Sequence, residues 1–192
     1  MRMPKVMRMP KVGERAPDFE LRDQNGGTVR LSALLATGPV VIFFYPKDDT
    51  PGCTKEACRF RDDFARFRET GAQVVGISSD SERSHLQFAA KYALPYTLLS
   101  DPGGRVRKLY GAVALFGLIP GRATFVIDRE GVVRHVFSSQ TKFEEHVDEA
   151  LQGTGGGVRS RTPPRDTLTP GSPDSHSGSS RCTARPSANS AL

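Results

Sequence analysis

The chain has 192 residues, 37% of them hydrophobic, and a formal net charge of +6. Its length is enough for one folded domain with a substantial core. The positive charge is concentrated at the ends, because residues 1–12 carry +4 and residues 153–192 carry +3, which leaves −1 for residues 13–152. A nearly neutral middle does not favour nucleic-acid binding, so we predict no nucleic-acid partner.

The three cysteines are too few for a disulfide-stapled secreted scaffold. Two of them lie five positions apart, which favours a redox or metal role. The chain shows no apolar stretch of transmembrane length and no apolar core of a signal peptide after its basic start. We therefore predict a soluble, cytoplasmic protein with no membrane partner.

The two ends of the chain differ in composition from its middle. The hexapeptide MRMPKV occurs twice, at residues 1–6 and 7–12, and its prolines disfavour a helix. Residues 153–192 are rich in Gly, Ser, Thr, Pro and Arg and contain few large apolar side chains. We predict an unstructured extension over 1–12, a folded domain over 13–152 and a disordered tail beyond it.

A strand, helix, strand unit stands at the centre of the predicted domain. The continuous apolar runs 40–45 and 72–78 are typical of strands buried on both faces. Between them, residues 53–69 have apolar side chains at helical spacing, and Gly71 is a helix stop. Such a unit normally crosses over right-handed into a parallel sheet.

Further elements are predicted on both sides of this unit. They are a hairpin of 18–21 and 28–31, a helix at 82–93, a strand at 96–100, a short helix at 103–110, and a hairpin of 123–128 and 132–138. Thr141 and Glu144 form a capping-box pattern that opens a last helix, ending near Leu151. The sum is an α/β fold with a mixed sheet, parallel at its centre, antiparallel at one edge and flanked by helices on both faces.

The segment FYPKDDTPGCTKEAC, residues 44–58, carries the strongest functional signal. Pro46 ends a strand, and a tight Thr-Pro-Gly loop places Cys53 in the first turn of a helix, where backbone amides stabilise a thiolate. A lone cysteine at such a position is more often a small apolar residue. The loop chemistry and the second cysteine, Cys58, favour peroxide chemistry instead.

The spacing of Cys53 and Cys58 has a geometric consequence. If both lie in one regular helix, their Cα atoms are roughly 8 to 9 Å apart. A disulfide tolerates a Cα separation of only about 4.4 to 6.8 Å. The first turn or two of the helix must therefore unwind before the two sulfurs can join.

The pattern P-x-x-x-T-x-x-C over residues 46–53, with Glu56, Cys58 and the later GRATFVID, resembles the peroxiredoxins, specifically the peroxiredoxin Q or bacterioferritin comigratory protein branch. The likeness runs from about Gly13 to Leu151 and includes GERAPDFEL near the front. It implies a thioredoxin-like fold and a peroxidase without a cofactor, acting on hydrogen peroxide and organic hydroperoxides.

The resemblance also implies the role of each site residue. Cys53 is the peroxidatic nucleophile, and Cys58 is the resolving cysteine, whose disulfide with Cys53 is reduced by thioredoxin or a similar dithiol protein. Thr50 supplies a hydroxyl that orients peroxide, and Pro46 shields the thiolate from water. Arg122 stabilises the thiolate and the charge that develops on the peroxide oxygen.

Several of these residues also have plainer interpretations. Glu56 either fixes Arg122 through an ion pair or is a favourable acid near the start of a helix. Arg122 in isolation would be a solvated charge at a strand end, and Cys58 a core residue. Cys182, in the predicted tail, is expected to be a free thiol without a function.

The first alternative function is that of a thioredoxin-type dithiol/disulfide oxidoreductase, although thioredoxins carry their cysteines three apart. The second is a non-enzymatic nucleic-acid binder, which would have to rely on the basic ends, residues 1–12 and 153–192. His85, His135 and His146 lack the spacing of a metal set, so no metal site is predicted. The branch that the chain resembles is often monomeric, and we predict a monomer.

Overall fold

The structure is a computed structural model that describes residues 8–114 and 119–155. The strands are β1 Glu20–Asp23, β2 Thr28–Arg30, β3 Val40–Phe44, β4 Gln73–Ser78, β5 Thr97–Ser100, β6 Val113–Ala114, β7 Ile119–Pro120, β8 Ala123–Ile127 and β9 Val133–Ser138. The helices are α1 Leu31–Leu35, α2 Pro51–Asp62, α3 Phe64–Glu69, α4 Glu82–Tyr92, α5 Arg105–Leu109 and α6 Glu145–Gly153. The predicted strand, helix, strand unit is present as β3, α2, α3 and β4.

A seven-stranded sheet in the order β2-β1-β5-β4-β3-β8-β9 forms the middle of the molecule. Strands β3, β4 and β5 run parallel, because helices connect each of them to the next across a face of the sheet. β8 and β9 form an antiparallel hairpin beside β3. Its turn includes Gly131 with φ +78, a left-handed conformation that glycine adopts without strain.

The sheet is antiparallel at both edges, so the prediction of a single antiparallel edge was wrong. The front hairpin of β1 and β2 does not stand apart from the sheet. It adds β1 antiparallel to β5, with Arg22 paired to Ser100 and Asp23 to Leu99. β5 would otherwise present unpaired backbone groups at an open edge, and β1 satisfies them.

The helix predicted over residues 53–69 is two helices, and it starts earlier than expected. α2 begins at Pro51, because proline is pre-organised for the first position of a helix and lacks only an N–H that would be unpaired there. The helix is interrupted between α2 and α3 at Asp63, whose backbone angles are φ −93 and ψ 6. Cys53 therefore lies in the first turn of α2.

The predicted capping box at the last helix is wrong. α6 begins after Glu144, which makes no side-chain cap hydrogen bond. Instead, the Ser139 hydroxyl oxygen accepts from the backbone N–H groups of Thr141 and Lys142, at 3.4 and 3.2 Å. These residues lie before the helix, so Thr141 does not cap it.

Strand β3 is buried along its whole length and separates two core layers. Alternate side chains of a strand point to opposite faces. Val41 and Phe43 join the layer that also contains the buried side chains of α2, α4 and α6. Val40, Ile42 and Phe44 join the layer that contains those of α1 and α5. Because α2 is packed into the first layer, its first turn is held close to the end of β3.

The described residues include only part of the two predicted end segments. Met9 packs against the second core layer, and the Gly13 N–H donates to the Val133 carbonyl at 2.8 Å. Cys182 and most of the predicted tail lie outside the described residues. Within 8–114 and 119–155, no helix is long and apolar enough to cross a membrane.

Candidate active site

Cys53 is a free thiol in the first turn of α2, and only 2% of it is exposed. Thr50, in an extended conformation, precedes the helix, and Pro51 occupies its first turn. The amides of a helical first turn have no partner within the helix, so negative charge is stabilised near them. The local sequence thus places a buried sulfur where an anion is favoured.

Arg122 lies directly against that sulfur. Its Nη2 is 3.3 Å from Cys53 Sγ, and the side chain is 4% exposed. Arg122 immediately precedes β8, which is paired with β3. The sheet therefore brings the guanidinium to the end of β3 from which the loop to α2 departs. The guanidinium carries a permanent positive charge and offers the sulfur an N–H donor.

Glu56 holds the other side of the same guanidinium. Its Oε2 forms an ion pair with Arg122 Nη1, and the carboxylate is completely buried. Cys53 and Glu56 are three residues apart on α2, so they lie on one face of the helix. The structure brings Cys53, Glu56 and Arg122 together, with the arginine bridging the other two. A buried acid of this kind requires such a partner.

His146, on α6, lies behind Glu56. Its Nδ1 is 2.7 Å from the Thr124 hydroxyl and its Nε2 is 2.9 Å from the Ser139 carbonyl. Since a carbonyl can only accept, the proton is on Nε2 and Thr124 donates to Nδ1. Burial lowers the pKa of His146 to about 4, and the charge of Arg122 lowers it too, although the bond to Ser139 acts in the opposite direction. His146 is thus neutral near pH 7.

Phe143 covers the site from the segment that precedes α6. Its ring lies 4.7 Å from the Arg122 guanidinium carbon, in cation–π geometry. The same ring packs on Gly52, where an added Cβ would lie 2.7 Å from a ring carbon. The absence of a side chain at Gly52 is therefore what allows Phe143 to close over the first turn of α2.

The loop between β3 and α2 contains the other two predicted site residues. Pro46 is half-buried at its start. The Thr50 hydroxyl donates to the Lys47 carbonyl at 3.1 Å. Its oxygen lone pairs stay available to accept a hydrogen bond from another molecule.

A buried polar cluster ties this loop to α4. Asp48 is 7% exposed and accepts from the hydroxyls of Tyr45 and Ser84, each at 2.7 Å. His85 Nδ1 is 2.9 Å from the same carboxylate. The Asp48 N–H donates to the carboxylate of Asp80, also at 2.9 Å. Buried polar groups are stable only when paired in this way, and the pairs fix the path of the loop.

The next residue, Asp49, is held in a left-handed conformation with φ +57. It accepts hydrogen bonds from Lys91, at 2.6 and 2.8 Å, and from the Tyr92 hydroxyl, at 2.8 Å. The bond from Lys91, followed by that from Tyr92, lowers the pKa of Asp49. Two consecutive acids thus anchor the loop between β3 and α2 to one helix, α4.

Comparison with known proteins shows the family to which the chain belongs. The AhpC/TSA family matches residues 12–136. Chloroplastic peroxiredoxin Q of Sedum lineare is 53% identical over 141 residues, which cover 73% of this chain and 75% of the relative. Peroxidoxin BcpB from Mycobacterium tuberculosis is 48% identical, covers 76% of this chain and 97% of its own, and superimposes with a TM-score of 0.71. The chain is a peroxiredoxin.

This peroxiredoxin belongs to the peroxiredoxin Q branch, as its sequence predicted, and its thioredoxin-like fold is confirmed. Chloroplastic peroxiredoxin Q of Populus jackii is 52% identical over 141 residues, which cover 73% of this chain and 66% of the relative. The chain thus spans slightly less than two thirds of that relative. Peroxiredoxin Q of Xanthomonas campestris is 31% identical over 71% of this chain and 89% of its own, with a TM-score of 0.65.

The second predicted redox residue of the peroxiredoxin, Cys58, lies in the interior of α2 and is 2% exposed. α2 is continuous from Pro51 to Asp62, so the Cα atoms of Cys53 and Cys58 are separated by roughly 8 Å of helix. The structure therefore does not bring the two sulfurs into bonding distance while α2 is intact.

Sequence reasoning missed most of the residues that surround this site. His146, Phe143 and Asp48 reach it from α6, from the segment before α6 and from a loop anchored on α4. Their contacts with Thr124, Arg122 and His85 join distant parts of the chain, and no local periodicity indicates such pairs. The consecutive acids at 48 and 49 are the one signal that could have been found, because two acids beside a predicted catalytic loop require partners.

Proposed function

We propose that this peroxiredoxin is a thiol-dependent peroxidase that reduces hydrogen peroxide and organic hydroperoxides. Cys53 would be oxidised to a sulfenic acid, Cys58 would resolve it as an intramolecular disulfide, and thioredoxin would reduce that disulfide. The observation that carries the proposal is the contact of Arg122 Nη2 with Cys53 Sγ at 3.3 Å in a buried site. A thiolate held in this way is a strong nucleophile.

In the first step, the Cys53 thiolate donates an electron pair to one peroxide oxygen. An S–O bond forms as the O–O bond breaks, and the departing oxygen takes up a proton to leave as water or an alcohol. The sulfur is oxidised by two electrons and the peroxide is reduced by two. The Arg122 guanidinium stabilises the charge as it moves from sulfur to the departing oxygen. No cofactor is needed, since the sulfur supplies both electrons.

In the second step, the Cys58 sulfur attacks the sulfenic sulfur of Cys53. An S–S bond forms, and the sulfenic oxygen leaves as water. Because the two residues are too far apart along an intact α2, this step requires the first turns of α2 to open. A dithiol of the thioredoxin type then reduces the disulfide by thiol–disulfide exchange and becomes a disulfide itself.

The remaining site residues would assist the first step. Thr50 accepts a hydrogen bond from the peroxide and orients it. Pro46 limits water at the thiolate. Glu56 holds the Arg122 guanidinium in the plane that reaches both the sulfur and the peroxide.

The monomeric state and the cytoplasmic location expected from the sequence stay predictions, and the plant relatives at 52–53% identity are named as chloroplastic.

A coupled assay tests the proposal. Reduced protein is incubated with hydrogen peroxide, thioredoxin, thioredoxin reductase and NADPH, and NADPH consumption is followed. We expect peroxide-dependent turnover by the wild type and none by Cys53→Ser, because an alcohol is not ionised at neutral pH. Turnover by Cys53→Ser near the wild-type rate would refute the role of that residue. Reduction of insulin disulfides without peroxide turnover would favour the thioredoxin-type alternative.

A further inference from the structure

Arg107, in the short helix α5, is an arginine in an unusual place. It is 2% exposed, whereas its neighbours Arg105 and Lys108 are exposed. Arginine is almost never fully buried unless it is paired. Removing a guanidinium from water is unfavourable, so a buried arginine indicates that neighbouring groups interact with its charge or its N–H donors.

The guanidinium of Arg107 joins two chain segments of the active site. Nη2 donates to the Tyr45 carbonyl at 2.7 Å, and Nη1 donates to the Gly121 carbonyl at 3.0 Å. Tyr45 directly precedes Pro46, at the start of the loop that leads to Cys53. Gly121 directly precedes Arg122. One planar group thus fixes the point where each segment leaves the sheet.

The sheet cannot make this connection through its own backbone. β3 and β8 pair with Phe44 opposite Ala123. Continuing that register by two residues places Pro46 opposite Gly121, and Pro46 has no N–H to donate. The planar guanidinium of an arginine can bridge two carbonyls at such a gap, because two of its nitrogens each donate to one of them. A lysine side chain has one nitrogen, so it cannot reproduce both bonds in the same geometry.

Gly121 is held on its other side as well. Its N–H donates to the Ala112 carbonyl at 3.0 Å, and the Ala112 N–H donates to the Arg107 carbonyl at 3.0 Å. An added Cβ at Gly121 would lie 2.9 Å from backbone atoms of Ala112. Gly121 is therefore clamped between the backbone that follows α5 and the Arg107 side chain.

Charge connects the same arginine to the reacting sulfur. Burial has the largest effect on the pKa of Arg107 and lowers it, whereas the interactions with Asp101, Tyr45, Asp80 and Cys53 act in the opposite direction. The Arg107 guanidinium and the Cys53 sulfur therefore interact electrostatically, and the interaction is attractive when the sulfur carries a negative charge.

We propose that Arg107 is a positioning residue for the peroxidase reaction: it clamps the segment that carries Pro46 and Cys53 to the segment that carries Arg122, and adds a second positive charge near the thiolate. The inference rests on the proposed function. In this arrangement Arg122 acts on the sulfur directly, and Arg107 sets the separation between Arg122 and the sulfur.

The test uses Arg107→Met, Arg107→Lys and the exposed neighbour Lys108→Met as the matched control. All are made in a Cys58→Ser, Cys182→Ser background, so that Cys53 is the only cysteine left of three. The first readout is the second-order rate constant of Cys53 oxidation by hydrogen peroxide. The second is the pH midpoint of Cys53 alkylation by iodoacetamide, which reports thiolate formation without peroxide. Thermal unfolding confirms that each variant is folded.

For Arg107→Met we expect oxidation to slow by about 10- to 100-fold, as for a reacting group displaced by a fraction of an ångström to 1 Å, and the alkylation midpoint to rise. For Arg107→Lys we expect a midpoint near that of the background protein but a slower oxidation, because the charge is kept and the two-carbonyl bridge is not. Lys108→Met should match the background protein in both.

A folded Arg107→Met with the rate and midpoint of the background protein would overturn the proposal, even if its melting temperature fell. If Arg107→Met does not fold, Arg107→Lys decides. Oxidation of that variant as fast as that of the background protein would overturn the proposed clamping role of Arg107. Should the wild type itself fail to react with peroxide, the proposed function fails. The alkylation midpoints would still test whether Arg107 favours the thiolate.

Discussion

The guanidinium of Arg122 lies 3.3 Å from the sulfur of Cys53, although the two residues are 69 positions apart in the chain. The contact exists because β8 pairs with β3, and because Cys53 sits one short loop beyond the end of β3. Glu56, one turn further along α2, pairs with the same guanidinium. The sheet and one helix thus place a buried ion pair directly against the Cys53 sulfur.

Replacing Arg122 by leucine should slow peroxide reduction by about 100- to 1000-fold, because a charge aimed at the developing oxyanion is lost. The rate constant is measured by stopped-flow on reduced protein. Arg129→Leu, an exposed arginine on the same hairpin, is the control and should keep the wild-type rate. An unchanged rate in Arg122→Leu would mean that the arginine was misassigned.

Arg122→Leu also leaves Glu56 buried without its partner, which should destabilise the fold by about 3 to 5 kcal/mol. The double variant Arg122→Leu, Glu56→Gln should regain much of that stability, because no buried charge is left unpaired. It should not regain activity. Recovery of activity together with stability would show that Arg122 acts only on the fold.

Oxidation should open α2. The Cys53–Cys58 disulfide is incompatible with the continuous helix, so amide protection over residues 51–58 should fall on oxidation while β3 stays protected. Hydrogen exchange with mass spectrometry measures this change. The control is Cys58→Ser, which can be oxidised at Cys53 but cannot form the bridge, and its helix should stay protected. A disulfide formed with unchanged protection would contradict the account.

Removing the Phe143 ring should slow peroxide reduction without unfolding the protein. Phe143→Ala takes away the cation–π contact with Arg122 and uncovers Gly52. We expect peroxide reduction to slow by about fivefold, which corresponds to about 1 kcal/mol of lost interaction. Phe64→Ala, a half-buried aromatic packed on the core away from the site, should lower the melting temperature and leave the rate unchanged. Equal rates in both variants would exclude a role for Phe143 in the reaction.

His146 should make the protein less stable in acid. Its pKa is lowered to about 4 in the folded protein, chiefly by burial, from 6.5. The unfolded chain therefore binds more protons between these values, and the free energy of unfolding should fall as the pH decreases from about 6.5 to 4, by on the order of 3 kcal/mol.

Urea denaturation at several pH values in this range measures that dependence. The matched variant is His146→Gln, which can still hydrogen-bond to Thr124 and Ser139 but does not titrate. Its stability should depend less steeply on pH than that of the wild type. Parallel curves for the two proteins would refute the assignment to His146.

The sequence predicted those features that rest on local patterns. The apolar runs of β3 and β4 and the proline and cysteine at the head of α2 are visible in a single stretch of chain. The local pattern at Thr141 and Glu144 misled, because the Ser139 hydroxyl accepts from the Thr141 and Lys142 N–H groups and the helix begins only after Glu144.

The residues that surround Cys53 are brought there by the tertiary fold. The local sequence pattern does not indicate them. Arg107 is one of three basic residues within four positions, and only the packing of α5 buries it while its neighbours stay exposed. Arg122 was found through the family resemblance and not through any periodicity. Asp48 and His85 meet because α4 packs against the loop that follows β3.

Intact-mass analysis after one equivalent of peroxide is the most direct test of the central claim. The claim is that peroxide oxidises the Cys53 sulfur and that the Cys58 sulfur then forms a disulfide with it. In a Cys182→Ser background, we expect the protein to lose the mass of two hydrogen atoms, and peptide mapping should join Cys53 to Cys58. With Cys58→Ser added, we expect a gain of oxygen on Cys53 alone. Unoxidised Cys53 after complete consumption of peroxide, or a mass change mapped elsewhere, would contradict these roles.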